Sequence, residues 1–247
     1  MYKFFVPEKQ IKDEIVTILG EDVNHILNVL RLKKLDQIIV GNKDTGNSYL
    51  SEIIEMRKDS IICKIVDNIL ETTESFVNVD LFQGLPKLDK LEYIIQKATE
   101  LGVKSIYPVN FERCIVKIDS KSEVKKLERW QKIAEVASKQ SKRDVIPDIK
   151  NIINVENICQ NAKKYDMIIL AYENERGNTL KNVLKDLDKS KQLNIGIIIG
   201  PEGGLTEKEV EKLIKIGAKS VTLGKRILRT ETASLVMLSS IIYEFEL

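Results

Sequence analysis

Three short stretches near the carboxyl end hold residue types from which a ligand site could be built. Leu170-Ala171-Tyr172-Glu173 closes one apolar run. Gly200-Pro201-Glu202-Gly203-Gly204-Leu205 follows another, Ile195 to Ile199. Leu223-Gly224-Lys225-Arg226-Ile227-Leu228-Arg229-Thr230-Glu231-Thr232-Ala233 follows a third. Each apolar run reads as a strand, and ligands of open α/β sheets bind outside the carboxyl ends of strands. The second stretch sets three glycines and a proline between a buried strand and a capped helix. Glycine there permits positive φ and lets a ligand touch the backbone. The helix start beyond offers free amide donors. A plain strand-to-helix turn needs one glycine, so three favour a ligand loop. In the third stretch Leu223, Ile227 and Leu228 lie among polar groups, a mixture suited to an adenine ring. Arg226 and Arg229 stand beside Thr230, Glu231 and Thr232. Such a neighbourhood is either a surface ion pair or, beside a glycine-rich turn, the charged part of an active site.

Other chemistries are excluded. Residues 200–205 do not fit the dinucleotide pattern GxGxxG. Gly41 to Ser48 has P-loop spacing, but Asn47 stands where the lysine must be and no long helix follows, so a hairpin turn is expected. Cys63, Cys114 and Cys159 form no CxxC pair, and His25 is the only histidine, which leaves no zinc set and no Cys–His or Ser–His pair without His25. The amino terminus has no signal-like apolar run and no stretch reaches membrane-span length, so a cytoplasmic protein without a membrane partner is expected. A chain of 247 residues suits two domains, and a net charge of +2 means that any RNA-binding surface must come from local asymmetry.

Two kinds of element must position these loops. Residues 1 to about 70 read as short strands, among them 38–40, 49–54 and 61–66, with one helix from Asp22 to Leu30; so many short strands suggest a small barrel. After a polar linker at 70–75 the grammar becomes alternating strands and helices. Strands are expected at 77–82, 103–109, 145–149, 166–171, 195–199 and 221–223. Helices start at Asp89 (with Glu92), Ser120 (with Glu123) and Thr206 (with Glu209), each pair spaced as a capping box. A final helix from about Glu231 to Phe245 is apolar nearly all round. The alternation predicts an α/β domain with a parallel sheet covered on both faces.

IGPEGGLTEKEV at 199–210 and LGKRILRTETA at 223–233 closely resemble the RsmE family of uridine N3-methyltransferases of 16S ribosomal RNA, members of the SPOUT superfamily. HILNVLR at 25–31, KLDKLEYIIQKATELGV at 87–103 and ERWQKIAEVASKQSKR at 128–143 resemble the family's other segments, so the likeness runs the length of the chain. It implies a PUA-like β-barrel over 1–70 and a SPOUT domain over 71–247 with a trefoil knot near its end. It also implies a homodimer, S-adenosylmethionine as cofactor without a metal, and 16S rRNA of the small ribosomal subunit as substrate. Cofactor contacts are expected from Leu170 to Tyr172, Gly200 to Gly204, Leu223, Gly224, Ile227 to Thr230, Thr232 and Ala233. The chain departs from the family's pattern at Lys3, where an arginine is common, at Cys114, where a serine is usual, and in the turn at 41–46.

Residues 113–150 hold eleven Lys/Arg against six Asp/Glu, a local charge of +5. Taken alone this is a solvated helix face. Within segments that resemble the family, Arg113, Lys139, Lys142 and Arg143 become expected RNA contacts, as do Lys3 and Arg31. Trp130 is expected in the core. For the reaction, uracil N3 must lose its proton before it attacks, and the charge spreads to O2 and O4. A fixed cation there stabilises the transition state. Arg229 is the first candidate and Arg226 the second, with Glu202 and Glu231 as proton acceptors or as anchors. The competing readings are a methyltransferase of transfer RNA and a non-catalytic RNA-binding assembly factor.

Overall fold

The computed structural model describes residues 1–185 and 187–246, without the side chain of Ser120. The chain forms two compact units, Met1–Glu74 with Ser138–Ile146, and Ser75–Ala137 with Pro147–Leu247.

In the first unit β1 (Lys3–Val6), β2 (Ile11–Lys12), β3 (Ile15–Leu19), β4 (Gln37–Asn42), β5 (Ser48–Met56) and β6 (Ser60–Ile69) form one sheet in the order β1-β4-β5-β6-β3-β2. Only the β1–β4 pairing is parallel. Laid flat, six strands would put the outer two about 24 Å apart. Yet the outer strands β1 and β2 are joined by Pro7 to Gln10, which spans at most about 18 Å. The sheet must therefore curl, as the density of short strands predicted. Residues at alternate positions, Val16 and Ile18, Ile38 and Val40, Ile61 and Cys63, line its buried interior with Phe4 and Ile53. The expected helix near 22–30 is a short α1 (Glu21–Asn24) continued by a π-helical turn, His25–Val29. At 42–47 Gly46 N–H donates to the Asn42 carbonyl (2.9 Å) in a hairpin turn between β4 and β5.

The return segment 138–146 is fastened to this unit by charge. Lys3 Nζ lies 2.6 Å from Asp144 Oδ1, with side-chain exposures of 2% and 8%. The Asp144 carboxylate also accepts from Ser48 Oγ (2.7 Å) and the Thr73 amide (2.8 Å). Arg143, itself buried, pairs with Glu74, and Lys139 Nζ lies 2.8 Å from Asp22 Oδ1. Three of the six side chains expected on RNA thus have their charges engaged inside the unit. The pairing partners are distant in sequence, so counting charge along the segment did not reveal them.

The second unit contains β7 (Asn78–Gly84), α2 (Lys90–Glu100), β8 (Ser105–Val109), α3 (Ser120–Ser141, whose last turn belongs to the first unit), β9 (Asp148–Ile149), α4 (Val155–Asn161), β10 (Met167–Ala171), α5 (Leu180–Lys185), β11 (Asn194–Ile199), α6 (Glu207–Lys215), β12 (Lys219–Val221) and α7 (Thr230–Glu246). The sheet order is β12-β10-β11-β7-β8-β9, parallel throughout, as the alternation predicted. The central strands are apolar on both faces; Ile195, Ile197, Ile198, Leu81 and Ile169 are fully buried. α7 packs against α2, α5, β7 and β11, and Trp130 of α3 is buried.

Of the expected capping boxes, Thr206–Glu209 forms both hydrogen bonds. Asp89 makes no side-chain cap: the Glu92 amide donates to the Asp89 carbonyl (3.1 Å), and the Glu92 carboxylate pairs with Arg129 (2.7 Å). At α3 the cap is Asp119, whose carboxylate accepts from the amides of Lys121 and Ser122 (both 2.9 Å), while Glu123 accepts from the amide of Ile152 (3.0 Å). The side chain of Ser120, expected as the cap, lies outside the described residues.

Burial works to raise the pKa of Asp144. The hydrogen bonds from Lys3, Ser48 and Thr73, and the Lys3 charge, overcome it and hold the group at about 2, below 3.8. A depressed carboxylate contributes stability that is present above the unfolded pKa of about 4 and is lost as pH falls through the folded value of about 2. Amide-exchange protection of β1 and β5 is therefore expected to fall across that window. Asp144→Asn should remove the acid-sensitive step while costing about 3–5 kcal/mol at neutral pH, because it strands the buried Lys3 ammonium. An unchanged acid profile in Asp144→Asn would refute this assignment.

Candidate active site

β10, β11 and β12 deliver three loops to one end of the sheet, and these enclose a cavity of about 580 Å3. The volume is in the range of small-molecule sites. One wall is the backbone of Gly200 to Gly204. Gly204 has φ +69° and donates its N–H to the Pro201 carbonyl (2.9 Å), which turns the chain into the capped start of α6. A side chain is disfavoured there by the backbone conformation, and a Cβ on Gly204, 2.6 Å from Glu173 Oε1, would also displace that carboxylate. Gly203 is covered from behind: its Cβ would meet the Cβ and carbonyl of Arg113 at 3.1 Å, and the Arg113 guanidinium donates to the Gly203 carbonyl (3.2 Å).

The loop is set by β7. Gly84, its last residue, lies so close beneath that an added Cβ would come 2.5 Å from Pro201 N and 2.9 Å from the Gly200 carbonyl carbon. The preceding residue, Gln83, is fully buried and has its amide satisfied. Its Nε2 donates to Thr230 Oγ1 (2.9 Å) and its Oε1 accepts from Ser234 Oγ (2.5 Å). Thr230 Oγ1 in turn donates to the Gly200 carbonyl (2.7 Å). The first turn of α7 is therefore tied to the end of β7 and to the glycine loop through one hydroxyl.

The second wall is 222–229, where Leu223, Ile227 and Leu228 supply apolar surface and Ile227 is 88% exposed. Arg226 and Arg229 also line the cavity, and among the described residues neither side chain has a hydrogen bond or ion pair. Cations at the cavity also include Lys90, Arg176 and Lys225, against the carboxylates of Glu173 and Glu202. Lys90 Nζ lies 2.9 Å from Glu202 Oε1 and 3.3 Å from Glu231 Oε2. The Glu202 hydrogen bond pushes the Lys90 pKa up. Burial works to raise Glu202, but the Lys90 bond and backbone amides outweigh it and leave the carboxyl below its ordinary value.

Most of the residues singled out from sequence come together here. Ala171, Tyr172, Gly200 to Gly204, Leu223, Gly224, Ile227 to Thr230 and Ala233 all line the cavity. Leu170 is buried within β10, Thr232 is exposed away from the cavity, and Glu231 stands behind Lys90. Lys90, Arg176 and Gly84 were not anticipated. A lysine in the first turn of a helix reads as a solvated residue, and a glycine ending a strand reads as a turn. A wall of glycine backbone, with apolar surface opposite, fits the S-adenosylmethionine implied by the resemblance.

Residues 73–242 match the family model of an RNA methyltransferase domain, and residues 18–66 that of an RNA methyltransferase PUA domain. The chain is 40% identical over 254 residues to the ribosomal RNA small subunit methyltransferase E of Bacillus subtilis, covering 100% of this chain and 98% of the relative. It is 35% identical to the protein of the same name from Mesomycoplasma hyopneumoniae, covering 98% and 99%. Among solved structures, that of a ribosomal RNA small subunit methyltransferase E from Neisseria gonorrhoeae bound to S-adenosyl methionine superposes with TM-score 0.84 at 32% identity, covering 98% of this chain and 97% of that one.

Gly84→Ala tests the packing beneath the loop without touching the cavity. The clash is with backbone, so the 200–204 segment must move. Calorimetry is expected to show S-adenosylmethionine affinity reduced about tenfold or more, the equivalent of about 1.4 kcal/mol, in a protein that keeps its helical circular dichroism. Wild-type affinity would show that the loop does not depend on β7.

Proposed function

We propose a function from the premise that this chain belongs to the RNA methyltransferase family whose curated relatives are named ribosomal RNA small subunit methyltransferase E. It transfers the methyl group of S-adenosylmethionine to N3 of a uridine in 16S rRNA of the small ribosomal subunit. The observation that carries this reading is the cavity at three parallel strand ends, with a glycine cradle on one side and two unpaired arginines on the other. Bound S-adenosylmethionine supplies an electrophilic methyl group on a positively charged sulfur. The 200–204 backbone and the 223–228 loop hold it, with the adenine against Leu223, Ile227 and Leu228.

Arg229 acts on the base. As the N3–H bond breaks, its electron pair stays on the uracil and spreads to O2 and O4. A guanidinium there is worth more in the transition state than in the ground state. Arg226 is the second candidate. Arg31, Arg113 and Lys142 are exposed and serve as phosphate contacts, with Arg113 joined directly to the glycine loop. The first unit, expected from sequence over 1–70, acts as the PUA-like RNA-binding domain. On this reading the trefoil knot implied by the family resemblance lies where 223–229 leads the chain back into α7. α7 leaves Leu235, Val236, Ile242 and Phe245 half-buried and Tyr243 70% exposed in a single chain, a surface suited to a homodimer. Among the described residues no helix is long and apolar enough to cross a membrane, and an rRNA substrate places the protein in the cytoplasm.

Mapping the methylated nucleotide after incubation with small subunits and total transfer RNA tests the reading. Label confined to a uridine N3 of 16S rRNA is expected; label in transfer RNA would overturn it. Loss of one electrostatic donor costs on the order of a hundred- to a thousandfold in turnover. Arg229→Ala should show that loss with cofactor affinity near wild type, and near-normal turnover would remove Arg229 from the mechanism. Light scattering should give twice the 28.2 kDa chain mass, and a clean monomer would refute the dimer.

A further inference from the structure

Lys90 opens α2, an element that none of the three strand-end loops belongs to. Its ammonium nevertheless stands between two of them. It meets Glu202 of the glycine loop at 2.9 Å and Glu231 of the first turn of α7 at 3.3 Å. The Lys87 amide adds a second donor to Glu202 Oε1 at 3.2 Å. The side chains are 26% (Lys90), 27% (Glu202) and 17% (Glu231) exposed, so the group is partly withdrawn from water at the cavity wall.

We propose that Lys90 is a positioning residue for cofactor binding and methyl transfer: it draws Glu202 and Glu231 onto one ammonium, fixes the glycine loop against the start of α7, and makes both carboxylates anchors instead of proton acceptors. An isolated exposed lysine–glutamate pair contributes little. This arrangement differs because one cation serves two carboxylates from two segments that flank the same cavity. Without it, two anions face each other across the junction and repel. The same two segments are already joined by Thr230 Oγ1 on the Gly200 carbonyl. Lys90 supplies a second tie, and two ties fix an orientation where one leaves a hinge. Arg229 precedes Thr230 directly, so the second tie also sets where that arginine begins. Glu202, already accepting from an ammonium and an amide, is a weak acceptor for a further proton. On this proposal, with both carboxylates held on Lys90, the N3 proton passes to solvent and leaves its electron pair on the base.

The inference rests on the function proposed above, and a binding test separates the two. Calorimetric titration with S-adenosylmethionine alone compares wild type, Lys90→Met, Lys90→Arg, Glu202→Gln and the double variant Lys90→Met/Glu202→Gln. Lys90→Met is expected to weaken binding about tenfold, as coupled neighbours do. Lys90→Arg should recover most of it, because a guanidinium can span two carboxylates. The double variant should bind no more weakly than Lys90→Met alone. In turnover, Lys90→Met should lower kcat far more than it raises KM for the RNA, as loss of a positioning contact does. Wild-type affinity in Lys90→Met, additive losses in the double variant, or a loss that tracks a falling melting temperature and is not recovered by arginine would each overturn the clamp. If the wild type itself takes up no S-adenosylmethionine, the functional reading fails first.

Discussion

The site hangs on a side chain that never reaches it. Gln83 is fully buried at the end of β7, where an unpaired amide would cost about 1–3 kcal/mol. Thr230 and Ser234, one turn apart on α7, satisfy it. Because Thr230 spends its own proton on the Gly200 carbonyl, the helix, the strand and the glycine loop share one set of hydrogen bonds. Moving any of the three leaves a buried donor or acceptor unpaired. The 222–229 loop is consequently held at both ends, by β12 before it and by Thr230 after it, although its middle touches little. A binding wall can stay open only if its ends are fixed in this way.

Cations in this protein divide into those that hold the structure and those left over. Lys3 and Arg143 are buried against Asp144 and Glu74, and Lys139 is paired with Asp22. At the cavity, Lys90 is committed to two carboxylates, whereas Arg226 and Arg229 carry no counter-ion among the described residues. Ile227, 88% exposed between them, adds apolar surface to the same wall of the cavity. Apolar surface and unpaired guanidinium groups side by side on one cavity suit the two bodies of the proposed reaction, an adenine ring against the apolar side chains and a base that gains negative charge beside an arginine. The local net charge of 113–150 did not separate Lys139 and Arg143, which are paired, from the exposed Arg113 and Lys142, because it counted all cations alike.

The parallel sheet and the three strand-end loops were legible because their signals are local. Apolar runs such as Ile195 to Ile199 mark doubly buried strands, and glycine marks the turns. The Thr206–Glu209 box was readable for the same reason. Asp89 and Glu92 have the same spacing, yet Arg129, far along the chain, takes the glutamate. The short helices α4 and α5, of 7 and 6 residues, fall below the length at which a helical period stands out. Lys90, Gly84 and the Lys3–Asp144 pair depend on partners more than a hundred residues away, and no window along the chain contains both members. The motifs at 199–210 and 223–233 identified the family where propensity stopped.

Arginine at 229 also makes sense by its chemistry. Under the proposed reaction the nucleophile is the deprotonated uracil, whose fraction grows as pH rises. A lysine in that position would begin to lose its charge in the range where the nucleophile becomes abundant, so its help would fade as it was needed. A guanidinium stays protonated well beyond that range, and its planar set of donors can address a carbonyl oxygen and the neighbouring charge together. Lysine is instead found at 90, where the task is to sit between two carboxylates that themselves hold it protonated. The two cations are suited to opposite duties, one fixed by its partners and one kept free of them.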